Sequence, residues 1–223
     1  MSTLATPGPI VVPVGPVDSG WIPSPLYRMT VEEYEAMVAS GVLKSSPRFH
    51  LIRGYLVIKM TQNPPHRVAD ELCGAELARI VPAGRYHVAA AKPVRLPGRD
   101  SEPEPDRCIV RGAIRDYEHH HPGPGEIALI AEIGDCSLAD DRKLATEVYE
   151  PASIPVYWNV NLVHHQVEVY TDPGPGGYRS SQVFSEGQSV PVVIDGQPLG
   201  AIAVADILPS RPAGPAGPDT VTR

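Results

Sequence analysis

The run from Ile127 to Ile133 constrains the fold more than any other segment of this chain. Its residues are apolar apart from Glu132, and their number and composition are typical of a buried strand. A buried charge costs several kcal/mol unless something compensates it, so Glu132 needs a cation, a metal or hydrogen bonds. A second acid, Asp106, follows Pro105 and opens another apolar segment. If these segments are neighbouring strands, the two carboxylates meet at one place.

Two converging carboxylates form the minimal oxygen-donor site for Mg²⁺, which usually takes one or two protein carboxylates and keeps several waters. The residues after Glu132 favour such a site. Ser137 and Asp140 have capping-box spacing, and the apolar stripe that follows predicts a helix over residues 139–150. Glu132 is therefore expected near a strand end that faces the start of a helix.

The remaining chain predicts a mixture of strands and helices. Further strands are predicted at residues 50–60, 86–96, 106–111, 154–161 and 166–171, with a helix at 66–81. Thr30 and Glu33 have capping-box spacing and begin a helix that runs to about Ser40. Residues 190–194 and 202–207 add a short edge pair. The expected fold class is α/β (α+β), with a central mixed β-sheet flanked by helices.

Composition bounds the organisation and the location of the protein. The 223 residues are 42% hydrophobic, enough for one core, so we expect one domain at residues 26–208. Proline and glycine mark residues 1–25 as a flexible lead and residues 209–223 as a disordered tail. No apolar run reaches the roughly 20 residues of a membrane span, and three scattered cysteines suit a reducing compartment. We therefore expect a cytoplasmic protein without membrane contact.

Charge is distributed unevenly along the chain. The formal net charge of −7 argues against a general nucleic-acid coat, because nonspecific affinity comes from neutralising phosphates. Residues 1–100 nevertheless carry a positive balance. Four cations, Arg85, Lys92, Arg95 and Arg99, precede an acidic loop. They either contact a nucleic-acid backbone or compensate that loop.

Five motifs in order resemble one protein family. They are Phe49-His50-Leu51-Ile52-Arg53-Gly54-Tyr55-Leu56-Val57, Asn63-Pro64-Pro65-His66, Ser101-Glu102-Pro103-Glu104-Pro105-Asp106, Glu132-Ile133-Gly134-Asp135-Cys136-Ser137-Leu138 and Ile154-Pro155-Val156-Tyr157-Trp158-Asn159-Val160-Asn161. Each motif is weak alone, but their order and spacing resemble the Uma-two endonuclease family, within the restriction-endonuclease-like PD-(D/E)XK superfamily. The resemblance runs from about Tyr27 to Leu208.

This resemblance implies a restriction-endonuclease-like core that hydrolyses phosphodiester bonds of DNA. It implies that Asp106 and Glu132 are catalytic acids that bind Mg²⁺, with Mn²⁺ as an alternative. His66 and His50 would be substrate-binding residues, although His66 could equally be an ordinary residue at a helix start. Because nucleases that cut both strands are often dimers, a homodimer is possible.

The chain departs from the family pattern in two respects, the glutamate at position 50 and the lysine. His50 stands where the family usually has a glutamate, and Gly134 stands two residues after Glu132, where the superfamily has its lysine. In this family the lysine usually lies four residues before the tyrosine, here Tyr149, and that position is Ala145. Lys143 is the nearest candidate for a catalytic lysine, but two helical residues turn by about 200°, so it would face away from position 145.

These departures leave two alternatives to a nuclease. One is a catalytically inactive nucleic-acid-binding or interaction module that keeps the fold, which predicts binding without cleavage. The other is purely structural, with Glu132 in a salt bridge to Arg107 or Arg142 and no open cleft.

Overall fold

A six-stranded mixed sheet forms the centre of the computed structural model, which describes residues 26–43, 48–135 and 142–211. The strands are β1 Phe49–Ile52, β2 Tyr55–Ile58, β3 Tyr86–Ala90, β4 Arg107–Arg111, β5 Ile127–Gly134, β6 Val156–Asn161, β7 Gln166–Gly174, β8 Gly177–Ser185, β9 Ser189–Ile194 and β10 Gln197–Ala203. The central order is β3-β4-β5-β6-β7-β8, and within it β5 and β6 pair in parallel while their neighbours pair antiparallel. The predicted α+β class with a central mixed sheet is confirmed.

Two α-helices and a π-helix accompany the sheet in the part of the chain that the structure describes. Helix α1 spans Val31–Ala39 and has the predicted capping box, and α2 spans Pro64–Ile80. A π-helix spans Ala145–Tyr149, directly after a helical turn at residues 142–144. Short 3₁₀ turns lie at Pro97–Arg99, Ile114–Tyr117, Pro124–Glu126 and Val204–Asp206. The predicted capping box of Ser137 and Asp140 lies outside the described residues.

Side chains of β5 alternate between two buried faces of the sheet. Leu129, Ala131 and Ile133 share a core with α2 and the β9–β10 hairpin. We call this side of the sheet the α2 face. Ile130 belongs to a second core, on the opposite side, with the π-helix. Because successive strand residues point to opposite faces, Glu132 shares the side of Ile130, which we call the carboxylate face. Both faces of β5 are covered, which explains why its sequence is almost continuously apolar.

The predicted strand at residues 50–60 is wrong as a single element. Strands β1 and β2 form a tight antiparallel hairpin outside the central sheet, and Arg53 and Gly54 make its turn. Both turn residues have positive φ angles, 51° and 81°, which is the backbone conformation of type I′ hairpin turns. The amide of Gly54 donates to Asp100 and its carbonyl accepts from Met29, so the hairpin anchors two neighbouring segments.

Other element boundaries also differ from the predictions. The strand predicted over 86–96 ends at Ala90, because Ala91 adopts φ 45° and the chain leaves the sheet. The pair at residues 190–207 is a separate hairpin packed on α2 instead of an edge of the main sheet. Strand β8 was not predicted; it pairs with β7 across a glycine-rich turn. None of the described helices has the length and apolarity that a membrane crossing needs.

Candidate active site

Asp106 and Glu132 lie together: Glu132 accepts a hydrogen bond from the Asp106 amide, and Asp106 accepts one from the amide of Ile133, the residue after Glu132. The Asp106 amide donates to Glu132 Oε2 at 3.0 Å, and the Ile133 amide donates to Asp106 Oδ2 at 3.0 Å. The Asp106 amide is only a few covalent bonds from the Asp106 carboxylate. Its hydrogen bond to Glu132 therefore keeps the two carboxyl groups within about 8 Å of each other. Asp106 is 6% exposed and Glu132 is 8% exposed. The antiparallel pairing of β4 with β5 brings the two acids together, since Arg107 lies opposite Ala131.

Tyr149 contacts the Glu132 oxygen that the Asp106 amide does not contact. Its hydroxyl donates to Glu132 Oε1 at 2.7 Å, and the whole side chain is buried. The π-helix brings the ring down onto the carboxylate face, where it packs beside Tyr157 with ring centroids 5.6 Å apart. Burial and the negative charge of Glu132 raise the pKa of Tyr149 well above its usual value, so the hydroxyl remains a donor.

His66 and Gln62 complete the surroundings of Asp106. Asn63 caps α2 by accepting from the His66 amide at 3.0 Å, which places His66 in the first helical turn. The His66 ring then lies with Nε2 3.2 Å from Asp106 Oδ2, and Gln62 donates to Asp106 Oδ1 at 3.0 Å. Burial opposes ionisation of Asp106, but the His66 hydrogen bond and charge, the Ile133 amide and the Lys59 charge outweigh it and lower its pKa.

Both arginines proposed as structural partners of Glu132 pair with other acids. Arg107 makes a two-pronged contact with Asp70 of α2, at 2.6 and 2.9 Å. Arg142 contacts Glu168 of β7 at 2.7 and 3.2 Å. Each arginine is thereby engaged away from the pair of catalytic candidates.

His50 and Lys143 line a cleft beside the β1–β2 hairpin. The cleft has a volume of about 510 Å³, and its lining includes the β1–β2 hairpin and one side of the helix that carries Tyr149. Lys143 is exposed, whereas Ala145 is buried, so the two do face different ways. Neither Asp106 nor Glu132 is part of the lining described. The structure thus groups Asp106, Glu132 and His66, and separately groups His50 with Lys143.

His50 is uncharged at neutral pH. Burial and the nearby charges of Lys59 and Arg48 lower its pKa to about 4. An uncharged imidazole contacts a substrate by hydrogen bonding instead of by charge. Within the described part of the chain, its Nδ1 atom has no hydrogen-bond partner and is buried.

Three arginines extend the cleft toward the Pro97–Arg99 turn. Arg28, Arg53 and Arg99 line an adjoining pocket of about 420 Å³ that shares Arg28, Arg53 and Glu147 with the first. Arg53 is in a salt bridge with Glu147. Of the four cations singled out before the acidic loop, Arg99 is in this pocket, whereas Arg95 pairs with Glu32 and Glu35.

Sequence reasoning missed several residues around the carboxylates. Gln62 stands just before the Asn63-Pro64-Pro65-His66 motif, and no pattern in the sequence pointed to its contact with Asp106. Asn159 was quoted only as part of a motif, although it is a polar residue inside an apolar strand, which is the same signal that identified Glu132. Arg53 fell inside the predicted strand at residues 50–60, and its place in a cleft depends on the hairpin turn that the structure shows there.

Comparison with known proteins gives the chain its relatives. A family model described as "Uma2: Putative restriction endonuclease" matches residues 31–199. Among solved structures, a protein described as a putative nuclease belonging to DUF820 from Anabaena variabilis ATCC 29413 matches with a TM-score of 0.58 and 15% identity. The match covers 80% of this chain and 97% of that one, and it shows a shared fold. No curated protein matches the chain. Because the family model covers most of its length, the chain belongs to the Uma2 family, described as putative restriction endonucleases.

Proposed function

We propose that this protein is a divalent-metal-dependent nuclease in which Asp106 and Glu132 hold the metal ion and nucleic acid follows the cleft of His50 and Lys143. The observation that carries the proposal is the reciprocal pair of hydrogen bonds, Asp106 amide to Glu132 and Ile133 amide to Asp106. It supports two buried carboxylates held near one another, and fixed oxygen donors are what such an ion requires.

The residues present fit a divalent cation. Tyr149 and the Asp106 amide each contact one Glu132 oxygen and so fix that carboxylate in place, and carboxylate oxygens are the ligands that Mg²⁺ prefers. Gln62, His66 and the Ile133 amide fix the Asp106 carboxylate in the same way. The described residues contain no group of three or more His, Cys, Asp or Glu side chains arranged to hold a metal ion by themselves, so water and phosphate oxygens would complete the shell of Mg²⁺ or Mn²⁺.

The chain's own residues have separate tasks in this proposal. A bound divalent ion supplies polarisation of the phosphate and a lowered pKa of water. Tyr149 fixes the position of Glu132, and His66 orients Asp106 through the contact between Nε2 and Oδ2. Because these groups are buried and already paired, they need little rearrangement during the reaction.

Lys59 and Lys143 are the two candidates for a catalytic cation. The Lys59 side chain is 16% exposed, donates to the Glu104 carbonyl at 2.6 Å, and acts electrostatically on Asp106. Lys143 lies in the cleft and is exposed. We therefore assign Lys59 to offsetting charge near the carboxylates and Lys143 to contacting the substrate backbone.

Cationic side chains support nucleic acid as the substrate. Arg28, Arg53, Arg99 and Lys143 line the two adjoining pockets, while the protein as a whole carries −7. A local cluster of cations in an acidic protein attracts phosphates to that place and repels them elsewhere. The backbone of DNA is thereby directed along the cleft.

The test is cleavage of supercoiled and single-stranded DNA by the full chain in Mg²⁺ and in Mn²⁺. We expect cleavage that requires the metal and falls by at least about 100-fold in Asp106→Asn and Glu132→Gln. Glu126→Gln is the matched control, because Glu126 is an acid of the Pro124–Glu126 turn that contacts His120. Cleavage that persists in chelator, or in both site variants, would contradict the proposal.

A binding module without cleavage is the second candidate, favoured by the alanine at position 145. Fluorescence anisotropy with labelled DNA separates the two. DNA binding without cleavage in either metal indicates the binding module. If the parent cleaves, Lys59→Met should reduce turnover, and Lys143→Met should weaken DNA binding with a smaller effect on turnover.

A further inference from the structure

Asn159 is a fully buried amide next to Glu132. Strands β5 and β6 run parallel, and Glu132 lies in register with Asn159, so both side chains project on the carboxylate face from strands about 4.8 Å apart. Asn159 has no exposed surface. Its Oδ1 and Nδ2 atoms are both buried, and neither has a hydrogen-bond partner within the described residues.

An unpaired buried amide has a substantial cost. Leaving a buried donor or acceptor unsatisfied costs about 1–3 kcal/mol, and Asn159 has one of each. Tyr157 and Asn161, two residues away on either side, point to the same face, and Asn161 is also fully buried. Asn161, however, donates to Glu168 at 2.9 Å and accepts from the His164 amide at 2.9 Å. The same residue type on the same strand is thus satisfied at one position and unsatisfied at the other.

Glu168, the other neighbour of Asn159, is already fully engaged. It lies in register with Asn159 on β7. Its oxygens accept from Arg142, Asn161, Gln166 and Tyr170. These contacts overcome burial and lower the pKa of Glu168 to about 2. Asn159 therefore lies between one carboxylate that its neighbours saturate and another that we assign to the metal ion.

We propose that Asn159 is a further ligand-binding residue of this site, whose amide oxygen contacts the divalent cation held by Glu132, directly or through one bound water. The inference rests on the proposed metal-dependent function. Amide oxygens are ligands of the same hard class as carboxylates, and a cation near Glu132 satisfies an acceptor that the described residues leave unpaired. The unpaired amide then lowers the stability of the metal-free fold, and cation binding offsets this loss.

Calorimetric titration with Mn²⁺ and urea unfolding in metal-free buffer together test this role. Asn159→Leu should lower the Mn²⁺ affinity by about tenfold or more while leaving metal-free stability equal or higher. Asn159→Asp should raise the affinity, because a carboxylate replaces a neutral amide. Asn161→Leu is the matched control; it should lose stability and keep the parent's Mn²⁺ affinity.

The outcomes separate this inference from the proposed function. If Glu132→Gln abolishes Mn²⁺ binding while Asn159→Leu and Asn159→Asp bind as the parent does, Asn159 is not part of the site and the nuclease proposal stands. If the parent binds no Mn²⁺, the metal-dependent function itself is wrong and the role of Asn159 is wrong with it. If Asn159→Leu proves too unstable to titrate, the direction of the Asn159→Asp change decides.

Discussion

The buried acids of this protein differ in the charges and hydrogen-bond donors that surround them. Glu102, in the loop before β4, is 4% exposed and lies near Glu35 and Glu104. Burial first, and then the neighbouring negative charges, raise its pKa to about 7. A carboxyl group whose pKa rises on folding stabilises the fold fully at low pH, and this contribution is lost as the pH rises from about 4.5 through 7.

Replacing this acid should remove that pH dependence. Glutamine resembles the protonated acid, so Glu102→Gln should stabilise the protein by about 1–2 kcal/mol at pH 8.5 and change little at pH 4.5. Urea unfolding at both pH values measures the effect. Glu71→Gln is the control, because Glu71 forms an exposed pair with Arg67 and should differ by less than about 0.5 kcal/mol. Equal effects at both pH values would contradict the assignment.

Tyr149 gives a second prediction at the level of single residues. Removing its hydroxyl in Tyr149→Phe takes a donor from a buried carboxylate, so we expect a loss of about 1.5–3 kcal/mol in the free energy of unfolding. Tyr178→Phe removes a hydroxyl that donates to the Ile154 carbonyl and should cost only about 1 kcal/mol. Urea denaturation of both variants provides the comparison, and a smaller loss at Tyr149 would argue against a charged acceptor.

The β1–β2 hairpin shows how one element positions part of the cleft. A Cβ atom on Gly54 would lie 2.6 Å from the Arg28 Cβ, and the residue has φ 81°. Gly54→Ala therefore adds a backbone clash to the cost of a positive φ, and it displaces Arg28 from the cleft. Gly84 has nearly the same φ, 82°, but a Cβ atom added there would meet no other atom within 4 Å.

This pair of glycines forms a controlled comparison. We expect Gly84→Ala to cost about 1 kcal/mol, from backbone strain alone, and Gly54→Ala to cost more and also weaken DNA binding. Urea unfolding and anisotropy measure the two effects. If both variants lose equal stability and bind DNA equally, the close approach of the hairpin to Arg28 has no energetic role.

Elements with a clear local sequence signal could be predicted, and elements whose position depends on tertiary packing could not. The continuous apolar run of β5 and the capping box of α1 each carried a local signal. The turn at Arg53 and Gly54 was hidden inside a longer apolar stretch, and β8 has mostly exposed side chains with no strong alternation. The meeting of Asp106 and Glu132 followed from two strand assignments, whereas the contacts of Gln62 and Tyr149 depend on how the helices pack on the sheet.

Across the whole molecule, charge is the property that would govern nucleic-acid binding under the proposed function. Four cations in the cleft would neutralise about four phosphates, so the logarithm of the DNA affinity should fall with the logarithm of salt concentration with a slope of about −3 to −4.

Glu147→Gln should strengthen DNA binding because it releases Arg53 from its salt bridge. Arg53→Ala should reduce the slope by about 1, and Arg179→Ala, in an exposed pair with Asp172, should leave it unchanged. A slope near zero would exclude the cleft as a phosphate track.

The parallel pairing of β5 with β6 has a consequence for the order in which the protein becomes competent. Ile130 pairs with Tyr157, and Asp106 meets a carboxylate 26 positions further along the chain. Contacts between distant residues form late, because the intervening loop must first be closed. During synthesis, a nascent chain that has reached only Glu132 has both acids but neither Tyr149 nor β6 to hold them. Such a chain has no assembled site, so under the proposed function hydrolytic competence would arise only once β6 and the π-helix have folded.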